Sequence, residues 1–93
     1  MFVFPDDASW NEAEDAVEFA IRLGDYAGKV FLPRRVLQSL IGSRPKAADC
    51  IAHFHLNRTE FERIAEAKVH ARQLDDDANI RITGRDLRAG RRA

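Results

Sequence analysis

Hydrophobic and polar residues change their spacing along this chain, and the changes mark its elements. From Asp15 every second residue is apolar: Val17, Phe19, Ile21 and Leu23 alternate with Ala16, Glu18, Ala20 and Arg22, which predicts a strand with one buried face. Gly24-Asp25 follows and suits a two-residue type II′ turn, whose first central residue takes a positive φ. That turn would pair Leu23 with Tyr26, Ile21 with Gly28, Phe19 with Val30 and Val17 with Leu32, all on one face. A slip of one residue would send Val30 and Leu32 to the wrong side, so turn and alternation together predict the register of a hairpin over Ala16 to Leu32.

Beyond Leu32 the spacing becomes helical. Pro33 suits the first turn of a helix, and Val36, Leu37, Leu40 and Ile41 form one stripe before Gly42, a glycine placed to end the helix in a left-handed conformation. After the linker Ser43-Arg44-Pro45, with Ser43 a candidate cap, the stretch Lys46 to Gln73 is predicted as one long helix. At 100° per residue Ala47, Cys50, Ile51, Phe54, Phe61, Ile64, Ala65 and Val69 share a face, opposite Asp49, Thr59, Glu60, Arg63, Glu66 and His70.

The remaining segments are shorter. Phe2 to Phe4 is suited to an edge strand closed by Pro5. Ser9 to Glu12 has the spacing of a capping box, but residues 5–14 are expected as an ordered loop with Trp10 packed against the core. Asp75-Asp76-Asp77 stops the long helix, and Asn79 to Thr83 alternates again as a last strand. Thr83-x-x-Asp86 then allows one helical turn. The class expected is α+β in two layers: a three- or four-stranded antiparallel sheet with a short and a long helix packed on one face. Residues 1–87 would form a single domain and 88–93 a flexible, arginine-rich tail.

Composition narrows the function. A chain of 93 residues, 45% apolar with six Phe, makes one packed domain that buries roughly 60 to 65% of its unfolded surface. The lone cysteine, Cys50, and the absence of an N-terminal targeting pattern predict a reducing, cytoplasmic setting, and no run of apolar residues is long enough to span a membrane. Net charge is zero but sorted: residues 1–21 carry only acids, Arg22 to Lys46 is basic, and the stretch from Arg81 holds five arginines against Asp86.

Chemistry is sparse in this pattern. Ser9, Ser39, Ser43 and Cys50 lack a paired base or a nucleophile turn, and the glycines form no phosphate loop, so no enzyme is expected. Cys50, His53 and His55 supply two metal ligands at most, and Asp75-x-Asp77-x-Asn79 resembles a calcium loop but has Ile80 where glycine is needed. Neither a metal nor a cofactor is expected. Arg58, beside Asn57, sits between Phe54 and Phe61 on the apolar stripe. It must run its stem along the core edge, pair with Glu18 or another N-terminal acid, or bind a carboxylate or phosphate ligand. Leu56 lies almost opposite Phe54, and with Ala52 and the edge strand it marks a candidate homodimer surface.

The Val17-x-Phe19 strand, the Phe54-x-x-Asn57-Arg58 run and the terminal Ile82-Thr83-x-x-Asp86-Leu87 resemble the small bacterial family known as domain of unknown function 1488. The likeness covers nearly the whole chain; ahead of the last strand the triple Asp replaces the family's usual Gly/Arg/Lys and aromatic. It implies a compact α+β fold and no activity, so no catalytic residue carries over. The function expected is a non-enzymatic protein-interaction module with an unknown protein partner and the capacity to form a homodimer. The alternative is a nucleic-acid-associated accessory protein that contacts phosphates through Arg85, Arg88, Arg91 and Arg92.

Overall fold

The computed structural model describes residues 2–5 and 8–91, and of Gly90 and Arg91 the backbone only. At its centre is the predicted hairpin, β3 (Ala16–Leu23) and β4 (Tyr26–Pro33). Its register pairs Val17 with Leu32, Phe19 with Val30, Ile21 with Gly28 and Leu23 with Tyr26. Gly24 has φ of 58°, the positive angle that a type II′ turn requires at its first central residue.

Two short strands share the outer edge of β3: β1 (Phe2–Val3) opposite Leu23 and Arg22, and β2 (Ser9–Asn11) opposite Glu18, Val17 and Ala16. The register moves by two residues between them, so the two strands are separate pieces and not one continuous edge strand. Ser9–Asn11 is therefore strand rather than the expected loop, because Trp10 pairs with Val17 and points to the core face. An edge built from such short, interrupted pieces offers little backbone for another chain to pair with.

The far edge is β5 (Ile80–Arg81), which runs parallel to β4. The sheet is thus mixed and five-stranded within the expected α+β class. The parallel pairing follows from the helices: they carry the chain back across one face of the sheet, so the next strand enters in the same direction as β4. Tyr26 closes this edge by donating its hydroxyl to the Ala78 carbonyl at 2.8 Å. A Cβ on Gly28 would meet that hydroxyl and come within 2.9 Å of the same carbonyl oxygen. Gly28→Ala is expected to cost about 1 kcal/mol or more through overpacking, and less in a Tyr26→Ala background. An unchanged urea midpoint would show that both groups move aside freely.

Helix α1 (Arg34–Ile41) ends as predicted at Gly42, with φ of 90° and its N–H on the Gln38 carbonyl at 2.8 Å; Pro33 stands just before the helix and not within it. The predicted long helix is two helices, α2 (Ala47–Leu56) and α3 (Arg58–His70), broken at Asn57. Asn57 takes φ of −122° and ψ of 27°, and its side-chain amide bonds the His53 carbonyl at 3.1 Å. Asn side chains compete for backbone acceptors in this way, which interrupts a helical ladder. The N-cap of α2 is Lys46 and not the expected Ser43, and the Asp49 carboxylate three residues on accepts the Lys46 N–H at 3.1 Å. Helix α3 stops before Gln73 because Arg72 turns left-handed (φ of 57°), the Gln73 N–H bonding Lys68 and the Arg72 N–H bonding Val69.

The break leaves the buried face continuous. Phe54 and Phe61 are both fully buried, with nearly parallel rings 5.9 Å apart, and Phe54 also meets Phe19 at 4.6 Å. Val17, Phe19, Ile21, Val30 and Leu32 from the sheet close on Val36, Leu37, Cys50, Ile64 and Ala65 from the helices. A last helix, α4 (Gly84–Arg91), takes in residues 88–91, which the sequence reading assigned to a flexible tail; Arg92 and Ala93 lie outside the described residues.

Candidate functional site

A cap starts helix α4, and two contacts hold it against the rest of the fold. Leu87 is buried in the core, and the Asp86 carboxylate accepts hydrogen bonds from the Thr83 N–H at 2.8 Å and the Thr83 hydroxyl at 3.0 Å. The same Oδ2 accepts Lys68 Nζ at 2.8 Å, with both side chains less than one-fifth exposed. The Thr83-x-x-Asp86 cap expected from the sequence therefore serves a second purpose, since Asp86 also ties the two helices together. Burial pushes the Asp86 carboxyl up, but Lys68, the Thr83 N–H and the Thr83 hydroxyl outweigh it and hold the group below its ordinary value.

Between the two helices runs a groove of 740 Å³. Ile64 and Ala67 from α3, Ala71 just past its end and Ala89 from α4 give it an apolar lining, with Arg63 and Arg85 on its two walls. Among the described residues neither arginine has an ion-pair partner. Arg85 is the sequence candidate that the fold brings here. Arg88, from the same set, turns back toward Gly84; the side chain of Arg91 and all of Arg92 lie outside the described residues. Sequence reasoning missed Arg63 and the alanines. The available signal was a second stripe at i, i+3 and i+7, Ile64, Ala67 and Ala71, beside the main one.

Arg58 and Asn57 stand elsewhere. At 100° per residue Arg58 lies on the side of α3 away from the groove. Its Nε donates to Glu62 Oε2 at 2.7 Å, and its guanidinium lies 5.8 Å from the Phe54 ring centre. Glu18, one of the N-terminal acids the sequence offered for it, accepts from Asn11 at 2.9 Å and lies 3.8 Å from Lys29. Leu56 is 83% exposed on the outer side of α2, where Ala48 and Ala52 are exposed on the preceding turns.

Two further clusters serve the fold. Arg81 lies over the Phe31 ring at 4.9 Å on the open face of the sheet, binds both oxygens of Glu14 at 2.8 and 3.2 Å, and approaches Asp75 at 3.4 Å. Its hydrogen bonds hold Glu14 below the ordinary carboxylate range. Asp75 is lowered as well, chiefly by the Asn79 N–H, and its other oxygen is given to Arg81; that carboxylate belongs to the turn and not to a calcium loop. Among the described residues no three His, Cys, Asp or Glu side chains gather as metal ligands.

Arg34 stacks on Trp10 at 4.8 Å, donates to the Pro45 carbonyl at 3.3 Å and lies 3.1 Å from Asp15. Its Nε–H is not aimed along that last contact, so the pair is ionic without a hydrogen bond. Cys50 next to it is fully buried, and burial pushes its thiol up against the pull of Arg34. A thiol so placed stays protonated and packs as a small apolar group.

The fold has a known counterpart. A crystal structure of a protein of unknown function from the DUF1488 family, from Shewanella loihica PV-4, is similar with a TM-score of 0.79 at 17% identity, covering 87% of this chain and 90% of that one. No curated protein matches the chain. No helix among the described residues is long and apolar enough to cross a membrane. The profile of the family described as "Protein of unknown function (DUF1488)" matches residues 3–82, from β1 through β5, so the elements derived above, all but the α4 wall of the groove, are those of the DUF1488 family, to which this chain belongs.

Proposed function

We propose that the domain is a non-enzymatic protein-interaction module of the cytoplasm that docks a partner protein in the groove between α3 and α4. The observation that carries this reading is the groove itself: a concavity where Ile64 and three alanines lie among polar and charged side chains, a combination of apolar surface and polar groups suited to a binding site. Its setting supports the same reading. Arg34, Arg58 and Arg81 are taken up by neighbouring side chains, whereas the groove arginines are exposed and have no acid partner among the described residues. A single buried, unbridged cysteine fits a reducing compartment.

The test places a photo-crosslinking residue at Ala67 of the full chain in its native host, with the same residue at exposed Glu12 as the control. A discrete adduct from position 67 alone, destroyed by protease and untouched by nuclease, is the expected result. A nuclease-sensitive adduct would favour the nucleic-acid alternative through Arg85 and Arg88. Absence of any adduct specific to position 67 would remove the docking reading.

A further inference from the structure

The groove also constrains what enters it. We infer that its occupant is an amphipathic helix of a partner protein with acidic residues on both flanks of an apolar stripe. The inference rests on the docking reading above and adds the chemistry of the partner. Ala67, Ala71 and Ala89 have single-methyl side chains, so a helix can lay its apolar stripe close along the lining. Thr59 and Ala71, near the two ends of the helical wall, are separated by about 18 Å at 1.5 Å per residue, which matches roughly 12 residues of a docked helix.

Charge selects among occupants. Lys68 is neutralised by Asp86, and Glu60 has an interaction of its own, which leaves Arg63 on one wall and Arg85 on the other uncompensated among the described residues. A docked helix meets both with acids placed on either side of its stripe. A second copy of this chain fits poorly here. Two-fold pairing sets the same patch against itself, so it would gather four arginines in one interface while Asp86 is already held by Lys68 and Glu60 by an interaction of its own. A nucleic acid would satisfy the arginines but leave the alanine strip without an apolar partner.

Four probes test the inference against isotopically labelled full-length protein, by amide chemical shifts and fluorescence anisotropy. The first is a synthetic 14-residue helical peptide with leucines at i, i+3, i+7 and i+10 and glutamates flanking them. The second is the same composition scrambled to destroy the stripe, the third carries lysine for glutamate, and the fourth is a single-stranded oligonucleotide of equal charge. The acidic amphipathic peptide is expected to bind and to shift amides in residues 59–73 and 84–89.

Arg63→Glu combined with Arg85→Glu should weaken that peptide by about tenfold or more and allow the lysine peptide to bind instead. Ala67→Trp, which fills the groove without touching its charge, should abolish both. Equal binding of the scrambled peptide or of the oligonucleotide would overturn the inference, as would no binding at all. If position 67 still crosslinks a protein while the acidic peptide fails and the double charge reversal leaves the crosslink intact, docking survives and the acidic helix does not.

Discussion

Phe54→Ala is expected to remove about 3–5 kcal/mol of stability, the range seen when a large aromatic is cut from a packed core. Phe54 is fully buried between Phe19 at 4.6 Å and Phe61 at 5.9 Å, so it joins the hairpin to both halves of the broken helix. A domain of this size has about 5–15 kcal/mol in total, so the variant should lose much of its urea midpoint and sit close to unfolding. Leu56→Ala, two residues on, removes a side chain that is 83% exposed and should change stability by about 0.5 kcal/mol at most. A Phe54→Ala loss below about 1.5 kcal/mol would mean that the helices collapse into the void, and that the aromatic cluster does not hold the layers together.

Asp86→Ala is the second large effect, about 2–3 kcal/mol. It removes the cap on Thr83, worth about 1 kcal/mol, and leaves Lys68, 12% exposed, without the acceptor of a charge-assisted hydrogen bond. A double-mutant cycle with Lys68→Met separates the two contributions, since only the ion pair couples the sites. A coupling near zero would confine Asp86 to capping. The pH dependence has a definite sign. The folded carboxyl lies below its ordinary 3.8, so its stabilisation is fully present above that value and is lost as pH falls through the lowered one. Wild-type protein should therefore lose stability on acidification below about pH 4.5, and Asp86→Ala should lose less over the same window. Some slope will remain, because Glu14 and Asp75 are also held low by their contacts. Identical acid profiles for the two proteins would rule out Asp86 as a contributor.

The groove variants bear on function and not on folding. Arg63 and Arg85 are exposed and unpaired among the described residues, so reversing their charge should leave the urea midpoint nearly unchanged while altering partner choice.

Local rules were sufficient for the hairpin. A glycine able to take φ of 58° and the alternation of the eight residues before it leave one register that buries Val17, Phe19, Val30 and Leu32 together. The same holds for the Gly42 stop, the Thr83-x-x-Asp86 cap and the shared face of Phe54 and Phe61, since each depends on residues within a few turns of one another. Tertiary structure alone decided the rest. Periodicity continues across Asn57, because a break of one residue barely rotates the stripe, and so one long helix and two short ones read alike. The direction of β5 depends on where three helices deliver the chain, which no spacing in Asn79 to Thr83 records. The groove depends on Leu87 and the Lys68–Asp86 pair bringing α4 against α3. Arg85 could be named from the sequence as a cation, but its place opposite Arg63 arises from contacts between segments that are distant in the chain.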